Sequence, residues 1–223
     1  AIVSLVRLDD YAALSNGWTT PTITDYQSIA FKNGDTAAYT GVKSAYLGAY
    51  NDAVNSQTTI TEVGVKDMVA KYTLLLDSAD SSRLTAGTNL LNTDFAKIWG
   101  VSVAGTNEAT LLNDVINGLA TSSLDQVSEL IALATTANKI VTLSGGTAQG
   151  ISRQELANLG LNDGAGHSFT DINSGTGTYW ITDAEYGRFT STTGLGSIGD
   201  ATPSTINTWQ QLQDLVSQAI INA

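Results

Sequence analysis

Three segments of the chain carry the same helix-start pattern: an acidic residue directly before an apolar residue, with a second apolar residue three positions later. They are TITDYQSI (22–29), LNTDFAKI (91–98) and ISRQELANL (151–159). Thr22 with Asp25 forms a predicted capping box, because the hydroxyl accepts a free backbone N–H and the acid reaches back. Ser152 with Glu155 forms a second one. The spacing therefore predicts three helix starts, each with an i, i+3 apolar face.

Two further landmarks recur in the same order along the chain. The first is YNDAVN (50–55) and LNDVIN (112–117), and the second is VKDMV (65–69), VSELI (127–131) and LQDLV (212–216). Each unit is thus predicted to contain a short capped helix, a middle helix and a longer amphipathic helix. Because a unit of this size cannot bury its apolar face alone, the copies should pack side by side. The sequence predicts a mainly α fold, one compact domain over 1–223 with three divergent helical repeats at approximately 22–80, 91–145 and 151–220.

The third unit is longer than the other two. From the first acid to the acid of the last landmark, the distance is 42 residues in unit one, 35 in unit two and 59 in unit three. The additional residues lie within approximately 160–207, a segment rich in Gly, Thr, Ser and Asp with one short capping box at Thr182–Glu185. Loops of this length are usually functional or disordered, and the aromatic residues here argue against disorder. We therefore predict an irregular insertion in the third repeat and expect the binding site there.

The charge of the chain excludes several classes of partner. Its 21 acidic and ten basic residues give a net charge of −11. Nothing resembles a patch that would neutralise phosphates, so nucleic acid is not an expected partner.

No apolar run approaches the ~20 residues that membrane insertion requires. Calcium is one way to relieve the repulsion among so many carboxylates, and the lack of Cys excludes disulfides and thiolate chemistry.

The sequence contains no recognisable catalytic motif. His167 is the single histidine, whereas a hydroxyl nucleophile needs a base and catalytic zinc usually takes two or three histidines. No nucleophile-elbow, zinc-protease or phosphate-loop motif occurs, and no spacing of acids suggests glycoside cleavage. We expect no catalytic residue, and we expect His167 to be a surface or capping residue.

The segment DINSGTGTYWITD (171–183) supplies the oxygen ligands that calcium prefers, with glycines to bend the chain. Its D-x-N-x-G start resembles a calcium loop, but an EF-hand does not fit, because position 12 is Thr182 and the glycine is not at position 6. The alternative is a solvated turn in which Asp and Asn side chains hydrogen-bond to the local backbone. We predict an irregular calcium site that uses some of five residues: Asp163, Asp171, Asn173, Asp183 and Glu185.

The aromatic residues of the insertion allow two interpretations. Trp180 and its neighbours pack the insertion onto the helical body, or they line a pocket in which an aromatic face binds a ligand. Arg188 forms an ion pair with Asp183 or Glu185, or it presents its guanidinium to a ligand carboxylate. The candidate ligand-binding residues are Tyr179, Trp180, Tyr186 and Arg188.

The repeated motifs resemble the helical repeats of very large secreted bacterial surface proteins, which read T-x-x-D-[FYL]-x-x-L-G, then a V-N-x-A/V-I segment, then an amphipathic helix. The resemblance covers most of residues 22–159 and returns at 205–220. Within that class, the giant calcium-dependent adhesins of the repeats-in-toxin type carry ligand-binding modules. One such module captures the C-terminus of a partner protein with help from calcium.

The resemblance implies a calcium-dependent, non-enzymatic ligand-binding module of a secreted adhesin, which binds a peptide or protein terminus on a host or neighbouring cell surface. It further implies secretion through a type I system, a position on the bacterial cell surface, and neighbouring domains in a longer chain. Two alternatives stay open: a structural spacer or surface-layer segment without a ligand of its own, and an enzyme of unrecognised type.

Overall fold

The computed structural model describes residues 2–13, 19–30, 41–79, 89–144, 150–190 and 206–221. Within these ranges the chain forms ten α-helices and one two-stranded hairpin, which confirms the mainly α fold. The helices are α1 (Ile2–Ala13), α2 (Ile23–Ala30), α3 (Leu47–Asn55), α4 (Glu62–Ser78), α5 (Asn92–Phe95), α6 (Thr106–Asn117), α7 (Val127–Ser144), α8 (Arg153–Asn158), α9 (Asp183–Thr190) and α10 (Trp209–Ile221). The strands are β1 (Ile172–Asn173) and β2 (Thr178–Tyr179).

Each of the three predicted helix starts begins a short helix, α2, α5 or α8. At α8 the Ser152 hydroxyl accepts the Glu155 N–H at 3.2 Å, and the Glu155 carboxylate accepts the Ser152 N–H at 2.6 Å. This capping box is confirmed. At α2 the Asp25 carboxylate accepts the Thr22 N–H at 2.9 Å, but the Thr22 hydroxyl donates to the same carboxylate instead of accepting from the helix. The Thr22–Asp25 box is therefore only half formed.

The acids of the three helix starts also hold the short helices against other helices. The ion pairs are Arg7 on α1 with Asp25, Lys71 on α4 with Asp94, and Lys139 on α7 with Glu155. Burial raises the pKa of Asp25, but hydrogen bonds from Thr22 and Arg7 outweigh it and lower that pKa overall. The hydrogen bond from Lys71 lowers the pKa of Asp94. Each pair therefore fixes a short helix against the helix that precedes it in the chain.

The asparagine of the Asn-Asp landmark makes the same type of contact in both copies. The Asn51 amide donates to the Pro21 carbonyl at 3.2 Å, just before α2. The Asn113 amide donates to the Leu90 carbonyl at 2.7 Å, just before α5, and accepts the Leu90 N–H at 3.1 Å. Each asparagine thus ties a middle helix to the segment that leads into the short helix of its own predicted unit.

The aspartate of the same landmark reaches further along the chain. Asp52 accepts the N–H of Val127, the first residue of α7, at 2.7 Å. Asp114 accepts the N–H of Trp209, the first residue of α10, at 2.5 Å. Because free N–H groups at a helix N-terminus favour a carboxylate, each aspartate caps the long helix of the next predicted unit. These contacts join the three units, while the repeat relationship itself stays a prediction.

One continuous cluster of buried side chains extends from Leu8 in α1 to Val216 in α10. The apolar side chains of VKDMV and LQDLV lie in this cluster. In VSELI, Ile131 is 36% exposed, because it lies at the edge of the core beside Gly100. The core is thus shared by all three predicted units.

Some sequence-based expectations fall on residues outside the described ranges. These are 191–205 of the predicted insertion and the predicted unit ends at 80 and 145. Among the described helices, none is both long enough and apolar enough to cross a bilayer. Of the predicted insertion, the structure describes residues 160–190 and 206–207; residues 160–190, called the insertion below, lie between α8 and the end of α9.

Candidate binding surface on the insertion

The described part of the insertion contains a β-hairpin that the sequence does not indicate. β1 and β2 pair antiparallel, and the opposite residues are Ile172–Tyr179 and Asn173–Thr178. The Asn173 side chain accepts the Gly175 N–H at 2.9 Å, and its carbonyl accepts the Gly177 N–H at 2.8 Å. Gly177 has a φ of +70°, which favours glycine. The predicted irregular insertion thus contains a regular hairpin, which the sequence does not indicate because strands of two residues are too short to show a periodicity of two.

Three buried side chains anchor the insertion in the core. Phe169, Ile181 and Phe189 are each 1% exposed. The rings of Phe169 and Phe189 lie 5.9 Å apart between centroids, a favourable separation for an aromatic pair. Because these residues lie before the hairpin, after it and in α9, they hold the insertion at three points.

Arg153, the first residue of α8, joins the hairpin to the helical body. Its guanidinium donates to the carbonyls of Phe169 at 3.1 Å and Ile181 at 2.8 Å. The same group lies 4.2 Å from the ring centroid of Tyr179 and 4.5 Å from that of Tyr186, within cation–π range. One cation thus fixes both ends of the hairpin and the first turns of α9.

Sequence reasoning missed Arg153, because a residue inside a capping box reads as an ordinary exposed helix position. Its side chain is only 11% exposed, whereas its ion-pair partner Asp183 is 90% exposed. Solvent screens such a pair, so the carbonyls and rings hold the guanidinium more than Asp183 does. Its partners lie 16 to 33 residues along the chain, and no local pattern marks them.

Asp163, one of the predicted calcium ligands, closes a loop. Its carboxylate accepts the N–H groups of Ala165 at 2.8 Å and His167 at 3.0 Å, and it bonds the His167 ring through Nδ1 at 2.7 Å. Burial raises the pKa of Asp163, but these hydrogen bonds outweigh it and lower that pKa. The oxygens of Asp163 therefore have local donors, as the alternative interpretation of a hydrogen-bonded turn expects.

The other four predicted calcium ligands, Asp171, Asn173, Asp183 and Glu185, are also bonded within the chain. Asp171 accepts the Ser168 N–H at 2.7 Å, and Glu185 accepts the Thr182 N–H at 2.5 Å. Asn173 closes the hairpin turn, and Asp183 pairs with Arg153. Within the described ranges, no three or more His, Cys, Asp or Glu side chains gather closely enough to hold a metal ion. Calcium binding stays a prediction, and the structure does not bring these residues into one coordination group.

The predicted ligand residues Tyr179 and Trp180 lie exposed on the hairpin. Trp180 is 43% exposed and Tyr179 is 37% exposed. The His167 ring stacks on the indole, with 4.0 Å between centroids and 7° between planes. Ile172, opposite Tyr179 in the hairpin, is 58% exposed. We call the exposed side chains Ile172, Tyr179 and Trp180 the hairpin surface; Ile172 and Tyr179 project from one face of the hairpin, and Trp180, the next residue, projects from the other.

The other two predicted ligand residues lie on α9. The Tyr186 hydroxyl donates to the Ile151 carbonyl at 2.5 Å, and its ring packs on Arg153. Tyr186 is half-buried, so its visible contacts join α9 to the start of α8. Arg188 lies exposed in the last turn of α9. Among the aromatic side chains of the described residues, Trp180 is the most exposed.

A cavity of about 550 Å³ lies elsewhere, between the loop after α6 and the helices α7 and α8. Its walls include Leu119, Ser128 and Leu133, and its lining residues carry no aromatic ring. Its one carboxylate, Glu129, already accepts the Gln126 N–H at 3.1 Å. The cavity therefore offers fewer anchoring side chains than the hairpin surface.

No family model, no curated protein and no solved structure matches this chain. The resemblance to adhesin repeats therefore stays a prediction.

Proposed function

We propose that this chain is a non-enzymatic binding module of a secreted bacterial adhesin, and that its hairpin surface contacts a peptide or protein on a host or neighbouring cell. The observation that carries the proposal is the exposure of Trp180 and Tyr179, at 43% and 37%, on an anchored hairpin. Tryptophan and tyrosine dominate the energetics of protein interfaces, because they bury a large area with few rotatable bonds.

The hairpin surface is held in place before any ligand binds. Arg153 packs on Tyr179, His167 stacks on Trp180, and buried Phe169 anchors the chain before β1. A surface fixed in advance loses little conformational entropy on binding, so more of the contact energy becomes affinity. This favours a binding role over that of a structural spacer, for which a half-exposed tryptophan has no use.

The contacts of His167 favour binding over catalysis. Its ring bonds Asp163 and stacks on Trp180. Among the described residues, no Ser or Thr hydroxyl hydrogen-bonds to this ring, whereas a catalytic triad requires such a bond. The observed contacts of the histidine support the indole.

A selection of displayed random peptides on the purified chain tests the proposal, followed by calorimetric titration of the selected synthetic peptides. Trp180→Ala should weaken their binding about thirtyfold, the effect of truncating an interface hot spot. Leu91→Ala is the matched control, since Leu91 is 60% exposed and lies outside the insertion. It should bind like the unsubstituted chain. Equal affinity of the unsubstituted chain and Trp180→Ala for every selected peptide would contradict the proposal.

Calcium dependence is tested in the same titrations, run once in millimolar calcium and once in chelator. The geometry of the hairpin surface rests on hydrogen bonds and ring contacts within the chain. Loss of peptide binding in chelator would support the calcium prediction. Unchanged affinity would mean that the insertion binds without the ion.

A further inference from the structure

We infer that the ligand of the hairpin surface is a cationic peptide segment, one that presents Lys or Arg side chains to Trp180. The inference rests on the proposed function and adds the chemical class of the ligand. The observation behind it is an exposed carboxylate, that of Asp171, directly across the hairpin from the exposed indole.

Asp171 and Trp180 face each other at the open end of the hairpin. The register pairs Ile172 with Tyr179, so the next opposite pair is Asp171 with Trp180. The Trp180 N–H donates to the Asp171 carbonyl at 3.0 Å, which continues the pairing. Opposite residues of an antiparallel pair project from the same face, with Cβ atoms about 5 Å apart. The side chains of Asp171 and Trp180 therefore share one face of the hairpin, where the carboxylate also accepts the Ser168 N–H.

The charges around this face favour a cation. Between residues 150 and 190, five carboxylates stand against two arginines. The guanidinium of Arg153 is engaged by two backbone carbonyls, while the Asp183 carboxylate is 90% exposed. The net charge of −11 adds to the same field. Anionic ligands are therefore repelled, and cationic ones are attracted on approach.

An indole beside a carboxylate matches a guanidinium or ammonium group. The face of the indole that His167 does not cover attracts a cation within about 6 Å of the ring centroid, and the carboxylate accepts the N–H of that cation. The chain already contains one such arrangement, in which Arg153 lies 4.2 Å from the Tyr179 ring and bonds Asp183. A ligand cation at Trp180 would repeat this chemistry on the surface, with Asp171 in the role of Asp183.

Three synthetic peptides of equal length test the inference, with glycine alternating with arginine, glutamine or glutamate. Calorimetric titration should show the tightest binding for the arginine peptide and none for the glutamate peptide. Trp180→Leu keeps apolar bulk but removes the ring face, so it should weaken the arginine peptide about two- to fivefold. Trp180→Phe should restore part of the loss, because phenylalanine again offers a ring face.

The carboxylate is tested by Asp171→Asn, which keeps an acceptor for the Ser168 N–H and should weaken the arginine peptide. Asp125→Asn is the matched control, since Asp125 is an exposed acid outside the insertion. It removes the same charge and should leave the affinity unchanged. Equal weakening by both variants would mean that only the total charge attracts the peptide, which overturns the inference. A glutamine peptide that binds as tightly as the arginine peptide overturns it as well.

Failure of the inference and failure of the proposed function give different results. Selected peptides without Lys or Arg that lose affinity on Trp180→Ala overturn the cationic class and leave the binding role intact. Peptides that bind with the same affinity after Trp180→Ala, whatever their charge, overturn both.

Discussion

The helical body, α2 to α7, and the insertion use acidic and amide side chains over different distances. In the body, Asp52 and Asp114 accept N–H groups that lie 75 and 95 residues further along the chain. In the insertion, Asp163 and Asn173 accept N–H groups no more than four residues away. Asp52 and Asp114 of the body therefore fix helices against one another, whereas Asp163 and Asn173 of the insertion shape turns.

The aromatic residues of the two regions also differ in their exposure to solvent. Tyr26, Tyr50 and Tyr72 of the body are buried, and each hydroxyl has a hydrogen-bond partner in the core. Tyr179 and Trp180 of the insertion stay substantially exposed. The aromatic area of the body contributes to stability, so the insertion is the region where aromatic area is available to another molecule.

Replacing Arg153 should have the largest effect on stability of the substitutions considered, because it releases the hairpin from the body. Arg153→Met roughly keeps the volume but leaves the carbonyls of Phe169 and Ile181 without their donor. We expect a loss of about 3 kcal/mol in the free energy of unfolding, measured by chemical denaturation. Amide exchange should accelerate at Trp180 much more than in α7, since the insertion opens first.

Arg153→Lys is the control for this prediction. It keeps the positive charge but lacks the planar fork that reaches two carbonyls and two rings. Its stability should fall between those of the unsubstituted chain and Arg153→Met. Unchanged stability of Arg153→Met, with slow exchange at Trp180, would show that the hairpin does not depend on this side chain.

Carboxylates of the body should contribute more to stability than carboxylates of the insertion, although less than Arg153 does. Asp114→Ala removes the cap between α6 and α10 and should cost about 1–2 kcal/mol. Asp52→Ala removes the equivalent contact to α7 and should cost a similar amount. Asp171→Ala removes one bond within an exposed turn and should stay in the range of ordinary surface substitutions. The midpoints of urea unfolding measure the stability of all three variants. Equal losses of stability in Asp114→Ala and Asp171→Ala would contradict the proposed difference between the two regions.

The helix starts are predictable from the sequence because their capping partners lie three residues apart. Ser152 and Glu155 make both bonds of the predicted box, and the whole pattern sits in one short segment. The partners Lys71 and Lys139 are not predictable in this way. Their pairing depends on the path of the chain between helices, which local patterns do not encode.

The candidate site is predictable in location but not in geometry. The repeat spacing locates the insertion, and Trp180 lies exposed on it. Tyr186 donates to the Ile151 carbonyl, since a helix that begins at Asp183 turns that side chain towards α8. Arg153 gives no local signal at all. Sequence patterns identify which residues are unusual, whereas tertiary contacts decide which of them stay accessible.

Acid should weaken the body through its ion pairs, and this is the smallest of the three expected effects. The hydrogen bond from Lys71 lowers the pKa of Asp94 in the folded chain. A group with a lowered folded pKa stabilises the fold above its unfolded value, here 3.8, and loses that contribution as pH falls through the folded value. Because both side chains are partly exposed, solvent screens the pair and keeps the contribution small.

The free energy of unfolding should therefore fall as pH is lowered from about 5 towards 2, and Asp94→Asn should be less stable at neutral pH but less sensitive to acid. Asp163→Asn is the matched variant in the insertion, where burial raises the pKa but the bonds from His167 and Ala165 outweigh it. These donors lie within four residues, so the unfolded chain keeps part of the same contacts. Asp163→Asn should then flatten the acid profile less than Asp94→Asn does. Equal flattening by both variants would mean that carboxylates of the body and of the insertion stabilise the fold alike.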